Sequence, residues 1–210
     1  MLKTTIALID YGAGNLRSAA KALEAVAPEA TVTITANPAD MGKATHIILP
    51  GVGAFGDCRR GVANVPGLEE SLDQAVRVAG KPFLGICVGM QLLAEEGEEH
   101  GIHRGFGWLK GSVRPLPDGG GAFKIPHMGW NTLVDLCSHP LLEDIAPGTD
   151  FYFVHSYALD DTPASLAWCT YSRRFPAIVA QDNIAGIQAH PEKSSSAGLK
   201  FLRNFLRWRP

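Results

Sequence analysis

Pro82-Phe83-Leu84-Gly85-Ile86-Cys87-Val88-Gly89-Met90-Gln91-Leu92-Leu93 reads as a buried strand, Pro82 to Ile86, that turns sharply at a cysteine and enters a helix begun by Met90, Leu92 and Leu93. The same change from a β-branched run to helical spacing recurs on the N-terminal side. Thr4 to Ile9 is strand-like, ends in the turn Tyr11-Gly12-Ala13-Gly14, and is followed by Leu16, Ala19, Ala20, Leu23 and Val26 on one helical face. Thr31 to Thr35 and His46 to Leu49 are further strands, the second ending in Pro50-Gly51-Val52-Gly53. Leu68, Leu72, Ala75, Val76 and Ala79 form another helical stripe, closed by Gly80. Strand and helix in alternation imply parallel strands joined by right-handed crossovers. After Gly97 the rhythm changes to strand-like runs at Gly105 to Arg114, Trp130 to Leu136, Phe151 to Ala158 and Ala167 to Tyr171, with Gly119-Gly120-Gly121 as a turn. Ile184 to His190 as a strand and Ala197 to Leu206 as a helix close the chain. The expected fold is α/β, a mostly parallel doubly wound sheet of flavodoxin-like type with an antiparallel extension in the second half. No repeat, low-complexity tract or linker divides it, so residues 1–210 are read as a single domain.

Composition narrows the function classes. The 210 residues are 46% hydrophobic and 19% charged, with a formal charge of −2, which excludes a disordered chain and a coiled coil. Lys plus Arg at 19 against Asp plus Glu at 21 gives neither a nucleic-acid footprint nor a polybasic membrane anchor. Cys58, Cys87, Cys137 and Cys169 contain no C-x-x-C pair and read as buried thiols or one special thiol, not a disulfide framework. The start, Met1 to Asp10, is interrupted too early for a secretory signal, and no stretch reaches the ~18 apolar residues of a membrane span. A reducing, cytoplasmic setting is expected.

Gly85-Ile86-Cys87-Val88-Gly89 matches a nucleophile elbow with cysteine in the serine position. Flanking glycines suit a crowded turn, the start of a helix favours thiolate, and the backbone N–H of Val88 is placed to donate to an oxyanion. The competing reading is a structural cysteine between packing glycines. A base decides between them, and Gln188-Ala189-His190-Pro191-Glu192 supplies one. Two residues apart at a strand end, His190 and Glu192 point to the same side, so the carboxylate can orient the imidazole. Without the cysteine, the pair reads as a surface contact. Pro50-Gly51-Val52-Gly53 ends its strand at the same carboxyl edge and offers a second N–H, from Val52 or Gly53, or else is only a tight turn.

Three further motifs are weaker. Tyr11 to Arg17 resembles a dinucleotide loop, but the third glycine of G-x-G-x-x-G falls on Arg17, which excludes NAD. His100 and His103 have metal-like spacing without further ligands nearby, and read as an exposed loop. Lys124 to Asn131 combines basic, apolar and aromatic residues in a broken segment, so that Met128 and Trp130 are either core or a partner surface.

Asp10-Tyr11-Gly12-Ala13-Gly14-Asn15, Pro50 to Phe55, Gly85 to Gln91, Pro126-His127-Met128-Gly129-Trp130-Asn131, Val154 to Tyr157 and His190 to Ser195 together resemble the class I, triad-type glutamine amidotransferases. The Asp10 to Asn15 and Pro126 to Asn131 segments are similar to those of the glutaminase subunits of imidazole glycerol phosphate synthase. The resemblance implies that Cys87 attacks the side-chain amide of L-glutamine, His190 moves the protons and Glu192 orients it. Oxyanion donors would be Val52 or Gly53 with Val88. Gln91, His155, Ser156 and Tyr157 would hold the glutamine. Asn15, His127, Met128, Trp130 and Lys193 would face a cyclase subunit that receives the ammonia and makes imidazole glycerol phosphate and AICAR in histidine biosynthesis. No metal or organic cofactor is implied. Ala189 departs from the family, which often has an aromatic residue before the histidine. A non-catalytic docking subunit, or a glutaminase serving an anthranilate or pyridoxal phosphate synthase, are the competing functions.

Overall fold

The computed structural model describes residues 3–210, so Met1 and Leu2, the first residues of the stretch read above as no secretory signal, lie outside the described residues. Four parallel strands come from the first half: β1 (Thr5–Ile9), β2 (Thr31–Thr35), β3 (His46–Gly51) and β4 (Phe83–Cys87). The second half adds β5 (Glu96–Gly97), β6 (His103–Arg104), β7 (Ser112–Pro115), β8 (His127–Thr132), β9 (Asp150–His155), β10 (Tyr157–Leu159), β11 (Ser165–Thr170), β12 (Arg174–Gln181) and β13 (Ile184–Ile187). The main sheet has the order β11-β12-β13-β4-β3-β1-β2. Its members from β13 to β2 are parallel, and β12 and β11 extend it antiparallel. This is the expected architecture. β3 and β4 are buried along their whole length, as strands covered on both faces must be, and their apolar runs reflect it.

Helix α1 (Leu16–Val26) packs on the C-terminal helix, and α2 (Ala39–Lys43) and α3 (Phe55–Ala63) pack on α4 (Leu68–Asp73), which continues as a π-turn through Gln74–Val78. The remaining helices are α5 (Val88–Gln91) and α6 (Ser195–Arg207). A second sheet, β10-β7-β5-β6, and the antiparallel hairpin β8–β9 stand beside the carboxyl ends of β3 and β4.

Several elements differ from the sequence reading. The helix after Cys87 is a single turn: the carbonyls of Leu92, Leu93 and Ala94 accept the N–H groups of Phe106 (2.7 Å), Trp108 (2.9 Å) and Gly107 (3.0 Å) instead of those of a next helical turn. The same bonds keep most of Gly105 to Arg114 out of a strand, leaving only β7. The run placed at Trp130 to Leu136 begins earlier, at His127. β12 has no counterpart in the sequence reading, and it carries Pro176, a residue uncommon inside a central strand. It is tolerated where the β11–β12 register shifts between Ala167 and Trp168.

The elbow is held by backbone contact. Gly51 is in register with Cys87 across β3–β4, and a Cβ on Gly89 would lie 1.8 Å from the carbonyl oxygen of Leu49. No rotamer relieves a clash with backbone, so Gly89→Ala is expected to destabilise the fold by about 1–3 kcal/mol or more. A urea midpoint unchanged from the parent chain would contradict this packing.

Candidate active site

Cys87 ends β4 with φ 55° and ψ −114°, a left-handed conformation that L side chains avoid. The turn lifts the thiol out of the strand ladder towards the hairpin: Cys87 Sγ lies 3.8 Å from the Val154 carbonyl oxygen and 3.8 Å from Gln188 Nε2. With only one helical turn behind it, the thiol has little macrodipole to draw on, and what the local backbone offers it is the free N–H groups of that turn.

The chain leaves β13 through Gln188 and Ala189 and reaches His190, whose backbone N–H donates to Tyr152 O at 2.9 Å. Pro191–Lys193 then form a 3-10 turn that folds Glu192 back, so that His190 Nδ1 and Glu192 Oε1 are 2.9 Å apart with both side chains almost wholly buried. Ser194 Oγ clamps the turn by donating to His190 O at 2.6 Å. Glu192 Oε2 is buried and has no protein partner, so the imidazole is the group that offsets its charge. Burial opposes a charge on His190, but the hydrogen bonds and charges of Cys87 and Glu192 outweigh it and push its pKa up to about 10. Cys87 therefore meets a His190–Glu192 pair that comes from far along the chain. Ala189, the departure from the family pattern, is fully buried beside them.

A pocket of about 300 Å³ opens over Cys87 and His190. Val52, Gly53, Val88, Gln91, His155, Ser156 and Tyr157 all line it, so every residue expected to hold an oxyanion or substrate borders it. The Pro50–Gly53 loop is fixed from beneath: Tyr11 Oη donates to Pro50 O at 2.8 Å and Cys58 Sγ to Val52 O at 3.4 Å. Burial, reinforced by the two neighbouring thiols, pushes the Tyr11 phenol upward and keeps it a donor.

Two lining or contacting residues escaped the sequence reading. Gln188 accepts from Gln91 Nε2 at 3.1 Å, and its place two residues before His190 on one strand face was the available signal. Glu99 borders the pocket and accepts the Phe55 N–H at 2.8 Å from 44 positions away, a meeting without a local sequence signature.

The residues expected to face a partner separate into two groups. Met128 and Trp130 are 62% and 53% exposed on the hairpin, and Trp130 stacks edgewise on Tyr152, over which the Lys193 ammonium sits at 5.9 Å. Asn15, half-buried at the start of α1, follows Gly14, which lies against Pro50 at the same rim. His127 is a correction. It is 2% exposed and turned inward, because residues alternate across a strand and its neighbour Met128 takes the outer face. Among the described residues His100 and His103 belong to no metal-binding cluster; His103 instead packs over Gly56.

The sequence pattern of the family described as glutamine amidotransferase class-I matches residues 7–208. The chain belongs to that family. Among curated relatives, the amidotransferase is 50% identical to imidazole glycerol phosphate synthase subunit HisH of Rhodospirillum rubrum, covering 98% of this chain and 99% of that protein. It is also 50% identical to the same subunit of Zymomonas mobilis, over 99% of this chain and 97% of that one. Among solved structures it is similar to PurLQS from Thermotoga maritima, with TM-score 0.73, 21% identity and 98% and 99% of the two chains covered. A glutamine amidotransferase from Thermotoga maritima gives TM-score 0.62 at 14% identity, over 91% and 77% of the chains. These two likenesses bear on the fold alone. No helix among the described residues is long and apolar enough to cross a membrane.

The charge of His190 gives this amidotransferase a defined pH signature. Its folded pKa of about 10 lies above the ordinary 6.5, so protonation adds stability that is complete below the lower value and is lost as pH rises through the upper one. Imidazole NMR shifts should place the His190 midpoint near the upper value, and Glu192→Gln should move it down. A midpoint at the ordinary value in both chains would contradict the buried pair.

Proposed function

We propose that this chain hydrolyses L-glutamine to glutamate and ammonia through a thioester on Cys87 and passes the ammonia to the cyclase subunit of imidazole glycerol phosphate synthase. The observation that carries this reading is the meeting of the Cys87 thiol and the His190 imidazole at one pocket, with the Glu192 carboxylate bonded behind the imidazole. The near-full-length identity to curated HisH subunits supports the choice of pathway, histidine biosynthesis.

In this reading the Cys87 sulfur attacks the side-chain amide carbon, and the carbonyl electron pair moves onto oxygen. Backbone N–H groups of Val88 and of Val52 or Gly53 hold that oxyanion, each good donor stabilising the transition state by about 3–4 kcal/mol. Protonated His190 gives its proton to the nitrogen as the C–N bond breaks, releasing ammonia and leaving the thioester. A water then attacks the acyl carbon, His190 takes its proton, and the C–S bond breaks to return the thiolate. Glu192 fixes the imidazole so that the nitrogen facing Cys87 does this work. Gln91 and the His155-Ser156-Tyr157 wall orient the substrate. None of these steps draws on a metal or organic cofactor.

Ammonia released into neutral water would be protonated and lose its nucleophilicity, which favours direct transfer to a docked partner. The exposed Met128 and Trp130, with Lys193 joined to Trp130 through Tyr152, and Asn15 are the surface offered for docking, Trp130 being an anchor of the kind that dominates interfaces. The whole chain acts as one domain. The four cysteines are all free, as the cytoplasm would keep them.

Cys87→Ala should lower glutamate release by the chain mixed with its cyclase by about a million-fold, as expected for loss of a triad nucleophile; glutamine turnover surviving in that variant would overturn the mechanism. Trp130→Ala should weaken the complex by about 30-fold in Kd, about 2 kcal/mol, measured by calorimetry. An unchanged Kd would move the interface elsewhere.

A further inference from the structure

Beneath the pocket wall lies a chain of hydrogen bonds whose direction is fixed at both ends. Tyr157 O accepts from Gln91 Nε2 at 2.9 Å and is also 2.9 Å from His155 Nδ1. A carbonyl cannot donate, so His155 Nδ1 carries a proton. His155 Nε2 is 3.0 Å from His127 Nδ1, and His127 Nε2 is 3.2 Å from Asn131 Nδ2. The Asn131 amide is itself set by the backbone: Nδ2 donates to Thr170 O at 3.1 Å and Oδ1 accepts the Thr132 N–H at 2.8 Å. Burial holds both imidazoles neutral, His127 down to about 4 and His155 down to about 3. A neutral ring that donates from one nitrogen accepts at the other, so the donors run one way: Asn131 to His127, His127 to His155, His155 to Tyr157 O.

The end of this chain matters for the reaction. Tyr157 opens β10, the edge strand of the second sheet, opposite Pro115, which has no N–H to donate, so the ladder leaves a gap at the Tyr157 carbonyl. The His155 ring spans that gap from two residues away. The Gln91 amide then has both protons committed, to Tyr157 O and to Gln188 Oε1, which leaves its own oxygen to accept from a ligand. His127 is stacked between Tyr171 and Phe153, at ring-centre distances of 4.2 and 5.1 Å, so it cannot turn to exchange its nitrogens without disturbing that stack.

We propose that His127 and His155 are positioning residues for glutamine, a tautomer-locked pair that sets the Tyr157 carbonyl and, through it, the orientation of Gln91 in the pocket. The proposal rests on the glutaminase reading above; it adds His127, which is buried behind the pocket, and gives His155, already part of the pocket lining, a second role.

Two substitutions at position 127 separate positioning from packing. His127→Phe keeps an aromatic ring in the stack and removes both nitrogens. His127→Asn keeps a donor near the Nδ1 position and leaves a cavity. In the complex with the cyclase, the Phe variant should raise the KM for glutamine about tenfold, the effect of losing one buried hydrogen bond of a little over 1 kcal/mol. Its kcat and the ammonia-fed synthesis should stay near the parent values. The Asn variant should be the less stable of the two yet keep the lower KM. Side-chain 15N spectra of the unmodified chain should show His127 and His155 both as the Nδ1–H tautomer, which a free histidine side chain disfavours in water. A KM that follows stability, or a parent chain with His155 as Nε2–H, would overturn the proposal. If the Phe variant fails to fold, the parent spectrum and the Asn variant still decide it. A parent complex that consumes no glutamine would instead overturn the functional reading, which the tautomer spectrum does not test.

Discussion

A cysteine at φ 55° costs on the order of 1–3 kcal/mol relative to an ordinary backbone, and it persists only where its surroundings leave no alternative. Here the alternatives are removed from three directions. Cys87 is in register with Gly51 on β3, Gly89 is pressed against the Leu49 carbonyl, and the residues that would extend the helix have their carbonyls occupied by Phe106 to Trp108. The strain is thus carried by the sheet and stabilised by its packing. What it achieves is placement: the sulfur leaves the ladder at the carboxyl edge, where β3 delivers Val52 and Gly53 and β13 leads into Gln188 and His190. Ligand sites of open parallel sheets assemble at this edge because strands end there together and their connections diverge.

The same pocket holds histidines in opposite charge regimes, and geometry accounts for each. His190 lies between a thiol and a carboxylate, one oxygen of which has no other protein partner, so the site stabilises imidazolium despite burial. His155 is as deeply buried but faces another imidazole and a carbonyl already shared with Gln91, and it also feels His190 and Arg173, so its neutral form is favoured. The contrast sets the two apart chemically: a group that holds a proton beside a thiol can pass it on, whereas a pair locked in one tautomer is suited to orientation.

The outer face of the hairpin follows from the alternation of its inner one. With His127 pointing in to meet His155, Met128 must point out, and the positive φ of Gly129 (139°) marks a break in regular strand geometry before Trp130, which is also exposed. The hairpin therefore ties an exposed apolar surface and part of the pocket lining to a single short stretch of backbone.

The order of strand and helix, the mostly parallel sheet, the elbow at Cys87 and the pairing of His190 with Glu192 were legible in the sequence, because each depends on local periodicity, on glycine and proline conformational limits, or on residues two apart. The family resemblance added the pocket residues. What the sequence did not determine depends on distant backbone: the single-turn length of α5, set by N–H donors more than ten positions away; β12, in which Pro176 is tolerated beside a register shift in its pairing with β11; the inward turn of His127; and the contacts of Glu99 and Gln188. These follow from which hydrogen-bonding groups are left unpaired once the sheet has closed, and that accounting exists only in three dimensions.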